Sequence, residues 1–398
     1  MIIKVRTHTL VLILCFWFTL LGNAFQNYAF YNPMKYASIL IIGMYILANC
    51  RILRKKEFAH INVFLLIFLS IVLYTSWINR GVIETRNPFF AAIVFSALLI
   101  EFFLMMEITA IKGYTQSMID VFFVLTSMLV ITTDMFVFLG ISLDYEGGMK
   151  YIPGTKFQVV YLHFLWLALY MVKYRQSYRL KQKYKLGMVV LILLSLVVSA
   201  IVDCSTGIIG AFIFAIVLLL YRRHSNIIYN PTVLVGTLIV SFLLSYIIRV
   251  IIMWRPVEYV LVHLLDKDIT LTSRTRIYMM VPLLLRGHYL WGYGYGTTYE
   301  LGKKLGGFPN TQNALWEWIW QCGILGVVAL LSLIYVVVLY VNKAHYKSNE
   351  SRSRYMLMML YIFSVLAIVE ITVDLSYLGY LAMLIPLTYT REKLGKQC

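Results

Sequence analysis

Residues 88–111 read PFFAAIVFSALLIEFFLMMEITAI. The run is apolar all round rather than along one stripe, and it has the length, roughly 17 to 25 residues, that a helix needs to cross a hydrocarbon core. Its only formal charges are Glu101 and Glu107. Lipid offers the backbone no hydrogen-bond partner, so an open-ended segment of this kind is stable only as a helix. The short alternating strands of a porin-type barrel are absent.

Working outward, the rest of the chain is built in the same way. Of 398 residues, 61% are hydrophobic and 13% charged, and the mean hydropathy is +0.79, values that exclude a soluble globular protein. Apolar runs near 9–25, 34–50, 58–77, 118–139, 157–172, 186–202, 205–221, 232–252, 313–341, 355–373 and 376–390 join 88–111 as predicted spans. The expectation is an all-α polytopic integral membrane protein of about 12 transmembrane helices, with residues 1–398 forming one membrane domain. Lys4 and Arg6 ahead of the first run imitate a signal peptide, but no small-residue cleavage site follows Cys15 to Phe25, so that helix is expected to stay uncleaved. No internal repeat and no matching pair of Gly/Pro-broken segments is visible, which counts against an inverted-repeat carrier.

The formal net charge of +17 raises the question of nucleic acid, and position answers it. With the N-terminus inside, most of the 35 basic residues fall in cytoplasmic segments: Lys4 and Arg6, the cluster 51–56, Lys112, the block KYRQSYRLKQKYK at 173–185, Arg222 and Arg223, the segment 342–354, and the C-terminal tail. That is the bias expected of cytoplasmic loops, and it places both termini inside with no nucleic-acid partner. The 173–185 block reads as a loop meeting anionic lipid headgroups. On the other side, only Arg249 and the long extracytoplasmic loop 253–312 are rich in cations.

That loop and the helix start behind it carry most of the polar chemistry. Residues 270–326 read TLTSRTRIYMMVPLLLRGHYLWGYGYGTTYELGKKLGGFPNTQNALWEWIWQCGILG. Arg274, Arg276 and Arg286 precede a Gly/Tyr run, and arginine presents a fixed fork of donors that grips phosphate bidentately. Thr272 or Ser273 suits the N-cap of a short helix over 274–286, kinked at Pro282, and a phosphate at its N-terminus would also meet backbone N–H groups. The competing reading is a solvated helix whose arginines touch lipid phosphates. Arg249, inside the apolar run SYIIRVIIMW, is costly there unless it snorkels, pairs or serves a site.

GYGYGTT (292–298) follows no strand and lacks a GK[ST] ending, so it predicts a tight backbone turn and no nucleotide site. Tyr289, Trp291, Tyr293, Tyr295, Trp316, Trp318 and Trp320 suit either sugar stacking or an interfacial belt, and the belt is the expectation for Trp318 and Trp320. Asp134, Asp203, Glu317, Glu370 and Asp374 fall at outer ends of predicted spans, where acids either neutralise the arginines or include a general base. The neutralising role is the expectation for most of them. His263 and His288 are isolated, and the five cysteines show no CxxC pair, so neither a metal nor a cofactor is expected.

SRTRIY (273–278), LWGYGYG (290–296) and TQNALWEWIWQCGILG (311–326) resemble the signature of the bacterial O-antigen polymerase and O-antigen ligase superfamily, with CSTG (204–207) as a weaker echo. That pattern runs Ser-Gly-Arg-Thr with an aromatic shortly after, a Gly-rich turn, and a His-Asn pair opening a helix that ends in Gly-Ile-x-Gly. The resemblance implies an inverting membrane glycosyltransferase that needs no metal. Its donor and acceptor would be polyprenyl-pyrophosphate-linked oligosaccharides on the outer face of the bacterial plasma membrane, and a repeat-unit flippase and a chain-length regulator would be its partners. Arg274 stands at the family arginine and Asn313 at the family asparagine. Gln312 replaces the family histidine and cannot accept a proton as imidazole does; Ser273 replaces the glycine.

The expected site therefore has Arg274, with Arg276 and Arg249, stabilising the departing diphosphate. Arg286, Gln312, Asn313 and Tyr278 would bind substrate. Glu317, Asp266, Asp268 and His288 are the candidates for activating the acceptor hydroxyl, with Glu317 placed in the catalytic set.

Overall fold

A computed structural model describes residues 7–21, 25, 28–53, 56–143, 150–180, 182–223, 225–252, 254–259, 262–263, 274–348 and 352–389. Among them the chain is helical, with no strand beyond one isolated bridge between Tyr151 and Gly154. The principal helices are α1 (Thr7–Cys15, continued by a π turn, Phe16–Leu20), α2 (Tyr31–Ala48), α3 (Ala59–Ile78), α4 (Pro88–Lys112), α5 (Thr115–Phe138), α6 (Lys156–Leu180) and α7 (Gln182–Ile201). They continue with α8 (Ser205–Arg223), α9 (Pro231–Ile252), α10 (Arg274–Leu284), α11 (Thr298–Gly306), α12 (Ala314–Ser348), α13 (Ser353–Leu366) and α14 (Leu375–Thr388).

Among the described residues six helices are long and apolar enough to cross a membrane: α3, α4, α5, α6, α7 and α12. α1 with its π turn, α8, α9, α13 and α14 contribute shorter apolar stretches. The 14 residues of α13 or α14 rise about 21 Å as regular helix, less than the roughly 30 Å of a hydrocarbon core.

Local chemistry sets the helix ends. Asn87 caps α4, its side-chain oxygen accepting from the Phe89 and Phe90 N–H groups, with Pro88 in the first turn where no N–H is needed. α12 packs along α3 and α9, and α14 packs along α4 and α13, so the end of the chain lies among its earliest long helices. α13 and α14 are buried almost throughout, from Met356 to Leu366 and from Tyr377 to Thr388 with Val365 the exposed exception.

Two irregularities at one end of the bundle shape the site. The apolar run 313–341 predicts one continuous helix, but α12 breaks at Gly323, whose φ of 68° and ψ of −175° are closed to side-chain-bearing residues. The carbonyls freed by the break are taken by the Gly/Tyr segment: the Tyr293 N–H donates to Trp320 O at 2.7 Å and the Gly294 N–H to Gln321 O at 2.9 Å. Ile324 N–H returns a bond to Tyr289 O at 2.8 Å. A Cβ on Gly323 would lie 2.1 Å from Leu290 O, so the missing side chain is what lets the two backbones meet.

The second irregularity is the connection 367–374. The sequence predicts helix to 373, but α13 stops at Leu366. The Thr372 hydroxyl turns back to Phe363 O at 2.5 Å, and Asp374 caps α14 by accepting from the Tyr377 N–H at 3.1 Å. Irregular backbone of this kind survives inside a membrane protein only where the protein supplies its hydrogen bonds, and here the neighbouring segments do so.

Candidate functional site

The segment 274–312 lies over the bundle end where α3 stops, α4 and α12 begin, and α13 turns into α14. Asn79 at the end of α3 donates to Gly292 O at 3.3 Å, and Ser76 accepts from the Tyr295 N–H at 2.9 Å. Glu300 in α11 accepts from Thr85 and from the Glu84 N–H in the α3–α4 turn, and the Thr85 bond draws its carboxyl below the usual range. The glycine run turns as its sequence predicts: Gly292, Gly294 and Gly296 all have positive φ.

Arg274 opens α10 and points inward. Its Nη2 donates to Glu370 Oε1 at 2.6 Å and its Nε to Gln312 Oε1 at 3.1 Å, with the two charged side chains 16% and 11% exposed. Thr206, from the start of α8, adds a weaker donor to the same Glu370 oxygen at 3.4 Å. Burial pushes the Glu370 carboxyl up to about 7, against the pull of the Arg274 guanidinium, which lowers it. The rest of the Arg274 donor fork stays open among the described residues.

Tyr278, one turn along α10, shares its hydroxyl proton between Gln312 O at 2.8 Å and Ile368 O at 2.7 Å. It therefore clamps α10 to both irregular segments, and burial pushes its hydroxyl further above its ordinary range, leaving it a neutral donor. Gln312 has a left-handed φ of 56°, a conformation costing a non-glycine residue about 1–3 kcal/mol. Asn310 holds it there, its side-chain oxygen accepting from Gln312 N at 3.1 Å and Nε2 at 2.6 Å. Asn313 caps α12 by accepting from the Leu315 and Trp316 N–H groups, both at 3.1 Å, while its amide donates to Ile368 O at 3.3 Å.

Arg274, Tyr278, Gln312 and Asn313, four of the residues singled out in the sequence, thus converge. Arg276 is exposed and faces a cleft of about 310 Å³ lined by Met280, Gly306, Gly307, Phe308 and Pro309, with Gln312 at its inner wall. Arg286 is exposed in the turn after α10, its N–H donating to Leu283 O at 3.3 Å and its guanidinium without a hydrogen bond or ion pair among the described residues. The backbone of Arg249 belongs to α9, but its side chain lies outside the described residues, as do Thr272, Ser273, Asp266 and Asp268.

Glu317 does not join the arginine. Its Oε2 accepts from the Thr311 hydroxyl at 2.9 Å and its Oε1 from Gln321 at 2.8 Å, a pattern that braces the loop against α12. His288 stacks on Tyr293 with ring centroids 4.1 Å apart. The belt expected of Trp318 and Trp320 is corrected: both are buried, Trp318 donating to Val373 O at 2.6 Å and Trp320 packing against Tyr293 and Phe308. Both lie in the part of α12 that precedes the break at Gly323.

Sequence reading placed Glu370 among the outer acids but did not name it as the partner of Arg274, since the two are 96 residues apart. Asp374, the cap of α14, was likewise one acid among several. Among the described residues no group of His, Cys, Asp and Glu has the makings of a metal site. The chain matches no family model, no curated protein and no solved structure.

Proposed function

We propose that this protein is a metal-independent polysaccharide polymerase, an inverting glycosyltransferase that joins polyprenyl-pyrophosphate-linked repeat units of a capsule, O-antigen or exopolysaccharide. In this reading the chain crosses the bacterial plasma membrane about twelve times with both termini cytoplasmic, and 253–312 faces outward. The apolar helices hold the polyprenyl tails, so donor and acceptor both stay in the membrane plane.

The observation that carries the reading is the Arg274 guanidinium, partly buried at the bundle end, held by Gln312 on one side and Glu370 on the other, with donors left over. Transfer from a lipid diphosphate breaks the anomeric C–O bond and leaves negative charge on the departing oxygen. A cation already fixed in a water-poor site lowers such a barrier by several kcal/mol, because no reorganisation accompanies the charge as it develops. Arg276, exposed in the adjoining cleft, would meet the second phosphate in this reading.

The test is Arg274→Ala beside Arg274→Lys, measured by membrane level and glycan ladder. The alanine variant is expected in the membrane without polymer, and the lysine variant with much-reduced polymer, since a point charge replaces a fork. A normal ladder from the alanine variant removes the assignment. Purified protein should also lengthen lipid-linked units in EDTA.

A ligase that passes finished glycan to another acceptor would use the same arginine, and a deletion strain that keeps polymer but fails to attach it would select that reading. An exporter of the lipid-linked unit draws on Glu101 and Glu107, buried carboxylates farther along α4, and requires a polar route to the other face. Repeat units accumulating on the inner leaflet of the deletion strain would favour it.

A further inference from the structure

The connection 367–374 touches two chemically different places in succession. Glu370 binds Arg274, and the residues that follow, Ile371, Val373 and Asp374, line a separate cleft of about 280 Å³. Tyr295, Glu317, Trp318 and Gln321 form its other walls. No cation lines it. Its surfaces are two aromatic rings, the aliphatic side chains of Ile371, Val373 and Leu375, one amide and two carboxyl groups, whereas the cleft lined by Gln312 carries Arg276.

The walls of this cleft are fixed. Tyr295 is stacked on Phe95 with centroids 4.5 Å apart. Gln321 is held between Glu317, to which it donates at 2.8 Å, and the Gly296 N–H, from which it accepts at 3.4 Å. Glu317 is turned toward Thr311 and Gln321 and has little capacity left. Asp374 also accepts backbone hydrogen bonds, from the Tyr377 N–H at 3.1 Å and from Ser376, but it lines a third cleft as well, with Gln158, Tyr161 and Ser376. Asp374 is therefore shared by two openings.

Fixed aromatic faces with carboxylate and amide acceptors suit a neutral polyhydroxylated ligand: C–H faces of a sugar pack on rings, and its hydroxyls donate to the oxygens. A diphosphate would be repelled by the same carboxylates. Resting on the glycosyl-transfer reading above, we propose that this cleft is the acceptor subsite, binding the terminal sugar of the acceptor glycan, with Asp374 receiving the proton of the attacking hydroxyl. The hydroxyl oxygen forms the new bond to the donor's anomeric carbon. The old bond to the diphosphate oxygen breaks, and its electron pair leaves with the lipid diphosphate. The hydroxyl proton moves to the Asp374 carboxylate and from there to water. Burial pushes the Asp374 carboxyl up to about 6, which makes it a better proton acceptor than an exposed aspartate while it stays ionised at neutral pH.

The experiment uses the full-length protein in lipid nanodiscs with two probes measured separately. One is the repeat-unit oligosaccharide cleaved from its lipid and freed of phosphate, followed by saturation-transfer NMR. The other is sugar-free polyprenyl pyrophosphate, followed by competition with a fluorescent analogue. Asp374→Asn keeps the cap of α14, because asparagine caps as well as aspartate, and Ile371→Trp fills the cleft without touching the arginine cluster. Both variants are expected to weaken the neutral oligosaccharide at least tenfold and to leave the diphosphate lipid within twofold, and Arg274→Ala should do the reverse. If both cleft variants bind the neutral oligosaccharide as the wild type does, or if the wild type binds only the diphosphate, the acceptor subsite is overturned while the polymerase reading stands. If the wild type binds neither probe, that underlying reading falls as well.

Discussion

Glu370→Gln is the perturbation that best separates a working guanidinium from a structural one. In the wild type the Glu370 carboxyl faces Arg274 at 2.6 Å and Thr206 at 3.4 Å, and Lys156, Tyr161, Tyr278 and Cys204 are the other titratable or charged groups that interact with it. A carboxylate there competes with any phosphate for Arg274. Two unit charges about 6 Å apart at an effective dielectric of about 20 repel by about 3 kcal/mol. Glutamine keeps an acceptor oxygen for Arg274 and removes that repulsion, so diphosphate-lipid affinity should rise by up to about a hundredfold at pH 8.

The wild type should approach the variant as pH falls. Its carboxyl titrates at about 7, so below that it is neutral and the advantage of glutamine disappears. The stability effect has a defined sign. Between the ordinary carboxyl value of 4.5 and about 7, the folded chain holds a proton that the unfolded chain has lost. The wild type therefore loses stability as pH rises through that window, with the loss complete above about 7, and the variant should show no such slope. Binding of polyprenyl pyrophosphate at pH 6 and pH 8, with thermal unfolding at the same points, measures both. An affinity ratio that does not change with pH, or a variant that binds more weakly than wild type at pH 8, refutes the competition argument.

Other substitutions probe the frame around the arginine. Gly323→Ala forces a Cβ to 2.1 Å from Leu290 O in a glycine-only conformation, and should cost at least about 3 kcal/mol in thermal unfolding. Gly236→Ala, in α9 with nothing within 4 Å, should be neutral or stabilising by up to about 1 kcal/mol. Asn313→Ala removes both the α12 cap and the bond to Ile368 O, so it should lose about 1–2 kcal/mol and most polymer; Asn313→Asp keeps the cap and should retain more of each. Glu317→Gln should lower stability by about 1–2 kcal/mol yet leave a recognisable glycan ladder, because its oxygens serve Thr311 and Gln321. Loss of polymer from a stable Glu317→Gln protein would make Glu317 the base and displace Asp374 from that role.

The helical architecture was legible because its signal is redundant. A run such as 88–111 has no other stable form in lipid, and Asn87-Pro88 ahead of it and Gly113 behind it mark its limits, the glycine with a φ of 72°. The convergence of Arg274, Gln312 and Asn313 was legible only through the resemblance of short motifs on either side of the glycine turn. Three features left no readable trace. Gly323 sits in QCGILG, where an apolar run continues on both sides, so composition cannot distinguish a broken helix from a whole one. Trp318 and Trp320 have the composition of an interfacial belt, and only their burial in the fold decides that they are core. Glu370 and Thr372 sit in a stretch apolar enough to read as helix, yet their side chains bond elsewhere and leave 367–374 irregular.

These irregular segments explain why the candidate site sits where it does. A helix that breaks and a helix that stops early leave backbone groups without intrahelical partners, and in a membrane such groups must be satisfied by protein. Ile368 O takes Tyr278 and Asn313, Val373 O takes Trp318, and Trp320 O and Gln321 O take the glycine turn. The same bonds tie α10, the turn before α12 and the connection 367–374 into one unit around Arg274. A guanidinium held by such a unit keeps its orientation before substrate arrives, which is the condition under which a fixed charge lowers a barrier. An exporter, by contrast, would have to separate these segments to let a ligand pass, giving up several of the bonds at each cycle.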